Sequence, residues 1–101
     1  MIIYVDIDET ICNTPKSRDY SKSTPIDKNI QKINKKYGEG HTVIYWTARG
    51  SSSGKDHSQL TKKQLFDWGA KFHELKLGKP MYDLIICDKA INSNDYFKNE
   101  S

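Results

Sequence analysis

The chain has little cysteine: two residues, Cys12 and Cys87, with no metal-ligand spacing between them. They read as reduced, structural thiols. No apolar run approaches the length of a membrane span, and no signal-peptide pattern precedes the first predicted strand. The expected location is therefore cytoplasmic, with no membrane partner. A long basic block is also missing: 16 basic residues against 13 acidic give a formal charge of +3. Nucleic acid is not implied, while an anionic substrate is modestly favoured. Internal repeats are absent, and 101 residues make one compact domain, not two. The core is small for that length, since hydrophobic residues make up 36% and the mean hydropathy is −0.78. A charged fraction of 29% is near the globular norm and does not indicate disorder.

What is present starts at the N-terminus. Ile2, Ile3, Tyr4 and Val5 run straight into Asp6-x-Asp8-x-Thr10. The apolar, β-favouring run reads as a buried strand of a parallel sheet. Its two carboxylates then sit at the strand's carboxyl end, where open α/β sheets place ligands. Taken alone, the same residues also suit a strand followed by an acidic turn. Residues 12–23 have no helical or strand period and read as a loop over that strand end. Thr24-Pro25-x-Asp27 is a helix-start signal, and Ile26, Ile30, Ile33 and Tyr37 form one apolar stripe closed by Gly38.

His41 to Thr47 reads as a second strand, followed by the flexible stretch from Ala48 to Lys55. A second helix runs from Asp56 or Ser58 to about Trp68, with Gly69 ending it. Phe72 to Leu77 reads as a short third strand and Asp83 to Asp88 as a fourth. Residues from about 93 to 101 show no clear element and are expected to be a loose tail. The pattern predicts a Rossmann-like, three-layer α/β domain with a mainly parallel sheet of four to five strands.

In such a sheet the carboxyl ends share one edge, so Asp6, Asp8, Thr47, Lys79 and Asp88 are expected to converge. Carboxylates suit Mg²⁺. A lysine and a threonine hydroxyl orient phosphoryl oxygens, and a carboxylate can attack phosphorus. Arg49, just after Thr47, is a candidate clamp for a substrate anion.

Asp6-Ile7-Asp8-Glu9-Thr10, Thr47, Lys79-Pro80 and Asp88 resemble, in order, the four motifs of the haloacid dehalogenase-like hydrolase superfamily. Thr47-Ala-Arg-Gly50, Gln64-Leu65 to Trp68-Gly69, Gly78-Lys-Pro80 and Asp88-Lys-Ala-Ile-Asn92 are similar to its very small, capless members. Those often accompany bacterial surface-polysaccharide biosynthesis. The resemblance spans residues 1 to about 92. It implies a Mg²⁺-dependent phosphomonoester hydrolase working through an aspartyl-phosphate, on a phosphorylated sugar, polyol or related intermediate, free or carrier-linked.

It further implies Asp6 as nucleophile and metal ligand, and Asp8 as general acid and base whose backbone carbonyl also binds the metal. Thr47 and Lys79 would hold the transferring phosphoryl group, and Asp88 would complete the metal site. Asp8 is then expected to have a raised pKa and Asp6 to stay ionised. Cys87 stands where many relatives carry a second acid, and Glu9 where glycine is frequent, so that Glu9 either faces solvent or narrows the mouth. The gaps after the first and third strands are too short for a cap, so an open site is expected. Few helices leave one sheet face thinly covered, which points to a homo-oligomer. The competing class is a catalytically weak or inactive phosphate-binding module. A response-regulator receiver has its acids in a different order, and dehalogenase chemistry is disfavoured because Asp8 and Asp88 match a phosphatase's acid and metal ligand.

Overall fold

The computed structural model describes residues 1–99. It contains five strands, β1 (Ile2–Val5), β2 (Cys12–Asn13), β3 (Thr24–Pro25), β4 (Thr42–Trp46) and β5 (Glu74–Lys76), and three helices, α1 (Asp27–Gly38), α2 (Ser58–Asp67) and α3 (Ser93–Asn99). β1, β4 and β5 form a parallel sheet in that order. β2 and β3 make a separate antiparallel ladder.

The register fixes which side chains face the core. Ile3 pairs with Val43 and Val5 with Tyr45, and these residues join Ile30 and Ile33 of α1, Leu65 of α2 and Phe97 of α3 in one cluster. Ile2, Tyr4, Ile44 and Trp46 alternate onto the opposite face, as the two-residue period of a strand requires. The helices thus contribute to one side of the sheet, and the expected third layer is not built. The reason lies in the path of the chain. It crosses the sheet in one direction, from β1 to β4 to β5, and right-handed crossovers moving one way put both α1 and α2 on the same face.

The fourth strand expected at 83–88 does not form, so the parallel sheet has three strands, not four or five. Leu84, Ile85 and Ile86 are exposed and carry no ladder. An apolar, β-branched run expresses strand propensity only where an edge receives it. Two further expectations change. Thr24 does not cap α1; it pairs with Asn13 in the small ladder, and the helix begins after Ile26. The stretch from Ser93, expected to be loose, is helical as far as Asn99. Its Asn94 N–H donates to Asn92 Oδ1 at 2.9 Å, and Phe97 is buried in the core. Lys32 Nζ donates to the Phe97 carbonyl at 2.8 Å, tying α3 to α1. Residues 100 and 101 of the expected tail lie outside the described residues.

Candidate active site

At the end of β1 the chain turns sharply. Thr10 and Ile11 N–H groups both donate to the Ile7 carbonyl, at 3.1 and 2.9 Å, and Glu9 takes φ +60°. That left-handed conformation is where glycine is cheapest. Glu9 stays there with its carboxylate 3.1 Å from the Arg18 guanidinium and accepting from Thr14 N. Its side chain narrows the mouth of the site instead of pointing away. The turn leaves Asp6 and Asp8 facing a cavity of about 490 Å³ that also takes in Arg18, Tyr20, Gly50, Lys55, His57, Lys79 and Tyr82.

Asp6 Oδ1 accepts from Ile7 N at 2.9 Å, and Oδ2 lies 3.5 Å from Lys79 Nζ. Partial burial pushes its pKa above the usual carboxylate value, against the pull of Lys79. The Lys79 ammonium also lies over Trp46 and Tyr82, at 5.6 and 5.4 Å from the ring centres. Its backbone N–H donates to the Thr47 carbonyl at 3.0 Å, and Ser51 Oγ donates to the Lys79 carbonyl at 2.8 Å. Thr47 itself is buried, its Oγ1 accepting from Arg49 N at 3.1 Å. It braces the turn that carries the site and does not line the cavity.

Asp8 is held by a different cation. Arg49 Nη2 donates to Asp8 Oδ1 at 2.8 Å and Nε to Oδ2 at 3.1 Å, while Thr14 Oγ1 donates to Oδ1. Burial acts to raise the Asp8 pKa, but these donors outweigh it and the value falls below the ordinary one. The raised pKa expected at Asp8 is therefore not found, and Asp6, expected to stay ionised, carries the raised one, because the buried arginine pairs with Asp8. The Arg49 side chain is 0% exposed. Its Nη1 donates to Thr61 Oγ1 and Gln64 Oε1, at 3.2 and 2.6 Å, and its guanidinium lies 4.6 Å from the Tyr20 ring centre. The guanidinium read as an anion clamp thus has its donors engaged within the protein.

Thr61 and Gln64 escaped the sequence reading as partners of Arg49. The available signal was their spacing with Leu65 on α2, which puts two polar side chains on the buried face of the helix. Arg18 and Tyr20, on the loop over the end of β1, also line the cavity. Gly50 is required where it is: its φ is +83°, and a Cβ there would meet the Lys55 carbonyl oxygen at 2.2 Å.

Asp88 is not brought to this place. Its side chain is 84% exposed beside Lys89, 3.7 Å away, and it does not line the cavity. Among the described residues no three His, Cys, Asp or Glu side chains gather as a metal centre. Of the expected metal ligands, the Asp6 carboxylate faces the cavity beside Lys79, whereas both oxygens of the Asp8 carboxylate are engaged by Arg49 and Thr14. Of the thiols, Cys12 is buried, with its pKa pushed up to about 11, and Cys87 is exposed. No helix among the described residues is long and apolar enough to cross a membrane.

No family model matches the chain, and no curated protein does. Among solved structures, the chain is similar to an MCSG target from Vibrio cholerae, with a TM-score of 0.83 and 22% identity over 96% of this chain and 88% of that one. At that identity the likeness shows the fold alone: a small α/β domain built on a three-stranded parallel sheet.

Proposed function

We propose that the chain is a phosphomonoester hydrolase in which Asp6 takes the phosphoryl group. The observation that carries this reading is the Asp6–Lys79 pair, 3.5 Å apart at the carboxyl edge of a parallel sheet and in the wall of an open cavity. Lys79 offsets the repulsion between an anionic nucleophile and an anionic ester and orients the transferring oxygens. Asp6 Oδ attacks phosphorus, the ester P–O bond breaks, and the leaving oxygen takes a proton from the protonated form of Asp8 and departs as the alcohol, leaving Asp8 ionised as the base for the second step. Water then attacks the aspartyl-phosphate, giving up a proton to Asp8 and releasing inorganic phosphate with Asp6 restored.

The Asp6 carboxylate and the Asp8 backbone carbonyl would hold a Mg²⁺ ion, which neutralises phosphoryl charge when bound. The haloacid dehalogenase-like resemblance of the motifs supports this assignment and suggests a phosphorylated sugar or polyol as substrate. The half-open cavity, without a cap, leaves room for a carrier-linked one. Hydrolysis of p-nitrophenyl phosphate with Mg²⁺, lost with EDTA and in Asp6→Asn, is the expected result. Turnover retained in folded Asp6→Asn would reject the nucleophile.

A phosphate-binding module without turnover is the second reading. The exposed position of Asp88 and the engagement of Asp8 by Arg49 favour it. Saturable binding of inorganic phosphate in the absence of any hydrolysis would decide for it.

A further inference from the structure

Each carboxylate in the cavity wall has a cation of its own. Lys79 lies 3.5 Å from Asp6, Arg49 2.8 Å from Asp8 and Arg18 3.1 Å from Glu9. A fourth cation, Lys55, lines the same cavity and has no acid within ion-pair distance among the described residues. The neighbouring acid, Asp56, stands outside the cavity wall, and its Oδ1 accepts from Ser58 N at 2.9 Å. The cavity thus carries one positive charge more than its own acids balance.

The loop between β4 and α2 places that charge. Gly54 N–H donates to the Gly50 carbonyl at 2.9 Å, and Lys55 N–H donates to Ser53 Oγ at 3.2 Å. The Lys55 carbonyl packs so closely on Gly50 that a Cβ there would meet it at 2.2 Å. Ser51 Oγ ties the same loop to the Lys79 carbonyl at 2.8 Å. An unmatched ammonium in a concave wall draws anions into the cleft. The volume of about 490 Å³ falls in the range of whole small-molecule sites, so it holds more than a phosphoryl group.

We propose that Lys55 binds a second anionic group, a carboxylate or a further phosphate, on the alcohol half of the substrate. The inference rests on the hydrolase reading, in which Lys79 answers the charge of the transferring phosphoryl group. Lys55 comes from a different segment and is left to select the leaving half. The substrate class is then a phosphomonoester that carries an acid of its own.

Matched pairs of esters test this on the full chain. 3-Phosphoglycerate against glycerol 3-phosphate adds a carboxylate, and glucose 1,6-bisphosphate against glucose 6-phosphate adds a phosphate. In at least one pair the acidic member is expected to be favoured by about tenfold, in kcat/KM and in Kd measured calorimetrically in EDTA. Which pair shows it tells carboxylate from phosphate. Lys55→Gln should bring that ratio near one, whereas Lys62→Gln removes the same charge outside the cavity and should leave it intact. No preference in either pair overturns the inference, as does a preference that survives Lys55→Gln or falls equally in Lys62→Gln. Equal loss for both members of a pair in Lys55→Gln puts the lysine on the phosphoryl group and also overturns it. Hydrolysis of p-nitrophenyl phosphate, whose alcohol carries no acid, reports separately on the hydrolase reading. Turnover of it without any acid preference sinks the subsite alone, and preferential binding through Lys55 with no turnover sinks the hydrolase alone.

Discussion

Arg49 and Asp8 form a two-point ion pair, Nη2 to Oδ1 at 2.8 Å and Nε to Oδ2 at 3.1 Å, with the guanidinium sealed from solvent. The arginine fixes one carboxylate of the site while its other nitrogens fix α2 through Thr61 and Gln64. One side chain thus joins the loop after β4, the turn after β1 and the face of α2.

Arg49→Met should therefore be among the most damaging single substitutions. It leaves Asp8 a desolvated, unpaired anion and strands Gln64 Oε1, an arrangement that costs about 3–5 kcal/mol. For a domain of this size that is a fall in Tm of about 12 °C or more. Urea unfolding of Arg49→Met, Asp8→Asn and the double variant measures it, and the double variant should lose less than the sum of the two. Strict additivity would mean the pair is not coupled in solution.

The two carboxylates should also respond oppositely to pH. Asp8 has a lowered folded pKa, so its stabilisation is present above the ordinary value of 3.8 and is lost as pH falls through the folded pKa. Asp6 has a raised folded pKa. Relative to the unfolded chain it favours folding at low pH, and that advantage disappears as pH rises through the folded pKa. Asp6→Asn should therefore raise Tm at neutral pH, with the gain vanishing below the ordinary Asp range, even as activity is lost. Thermal melts from acid to neutral pH check this, and a neutral-pH Tm below wild type would show that the Lys79 contact outweighs desolvation.

Much of this arrangement was legible in the sequence. Apolar runs ending in Asp6 and Thr47 and the stripe of Ile30, Ile33 and Tyr37 signalled β1, β4 and α1, because local periodicity and strand-end chemistry are written in consecutive residues. Partner choice is not written that way. Nothing local to Arg49 says that its guanidinium will turn inward to Asp8, 41 residues away in sequence, and so the reading of it as an anion clamp missed the buried network. The same applies to 83–88, whose composition is that of a strand but whose pairing depends on an edge elsewhere. α3 was missed because seven residues carry too short a stripe to register, although Phe97 reaches the core.

Gly50→Ala tests the turn that carries Arg49 and faces the cavity. The new Cβ would lie 2.2 Å from the Lys55 carbonyl oxygen at φ +83°, so the 50–55 loop must move. A cost of roughly 1–3 kcal/mol is expected from the left-handed backbone together with the clash. Because Gly50 and Lys55 both line the cavity, KM for a phosphomonoester should rise as well. A variant with wild-type Tm and KM would show that the loop is free to rearrange.

The hold of Arg49 and Thr14 on Asp8 bears finally on which esters would be cleaved fastest. A carboxylate kept ionised is a ready base for water but a poor donor to a departing alkoxide. Aryl phosphates leave as phenolates and need no such proton. p-Nitrophenyl phosphate should then exceed a simple alkyl phosphate in kcat/KM by about 10²–10⁴, the usual worth of a placed general acid. Lowering the pH protonates a growing fraction of Asp8, so the gap should narrow on the acid side. Arg49→Lys, which keeps the charge but loses the two-point contact, should narrow it already at neutral pH. Parallel pH–rate profiles for the two substrates would show that Asp8 does not govern departure of the alcohol.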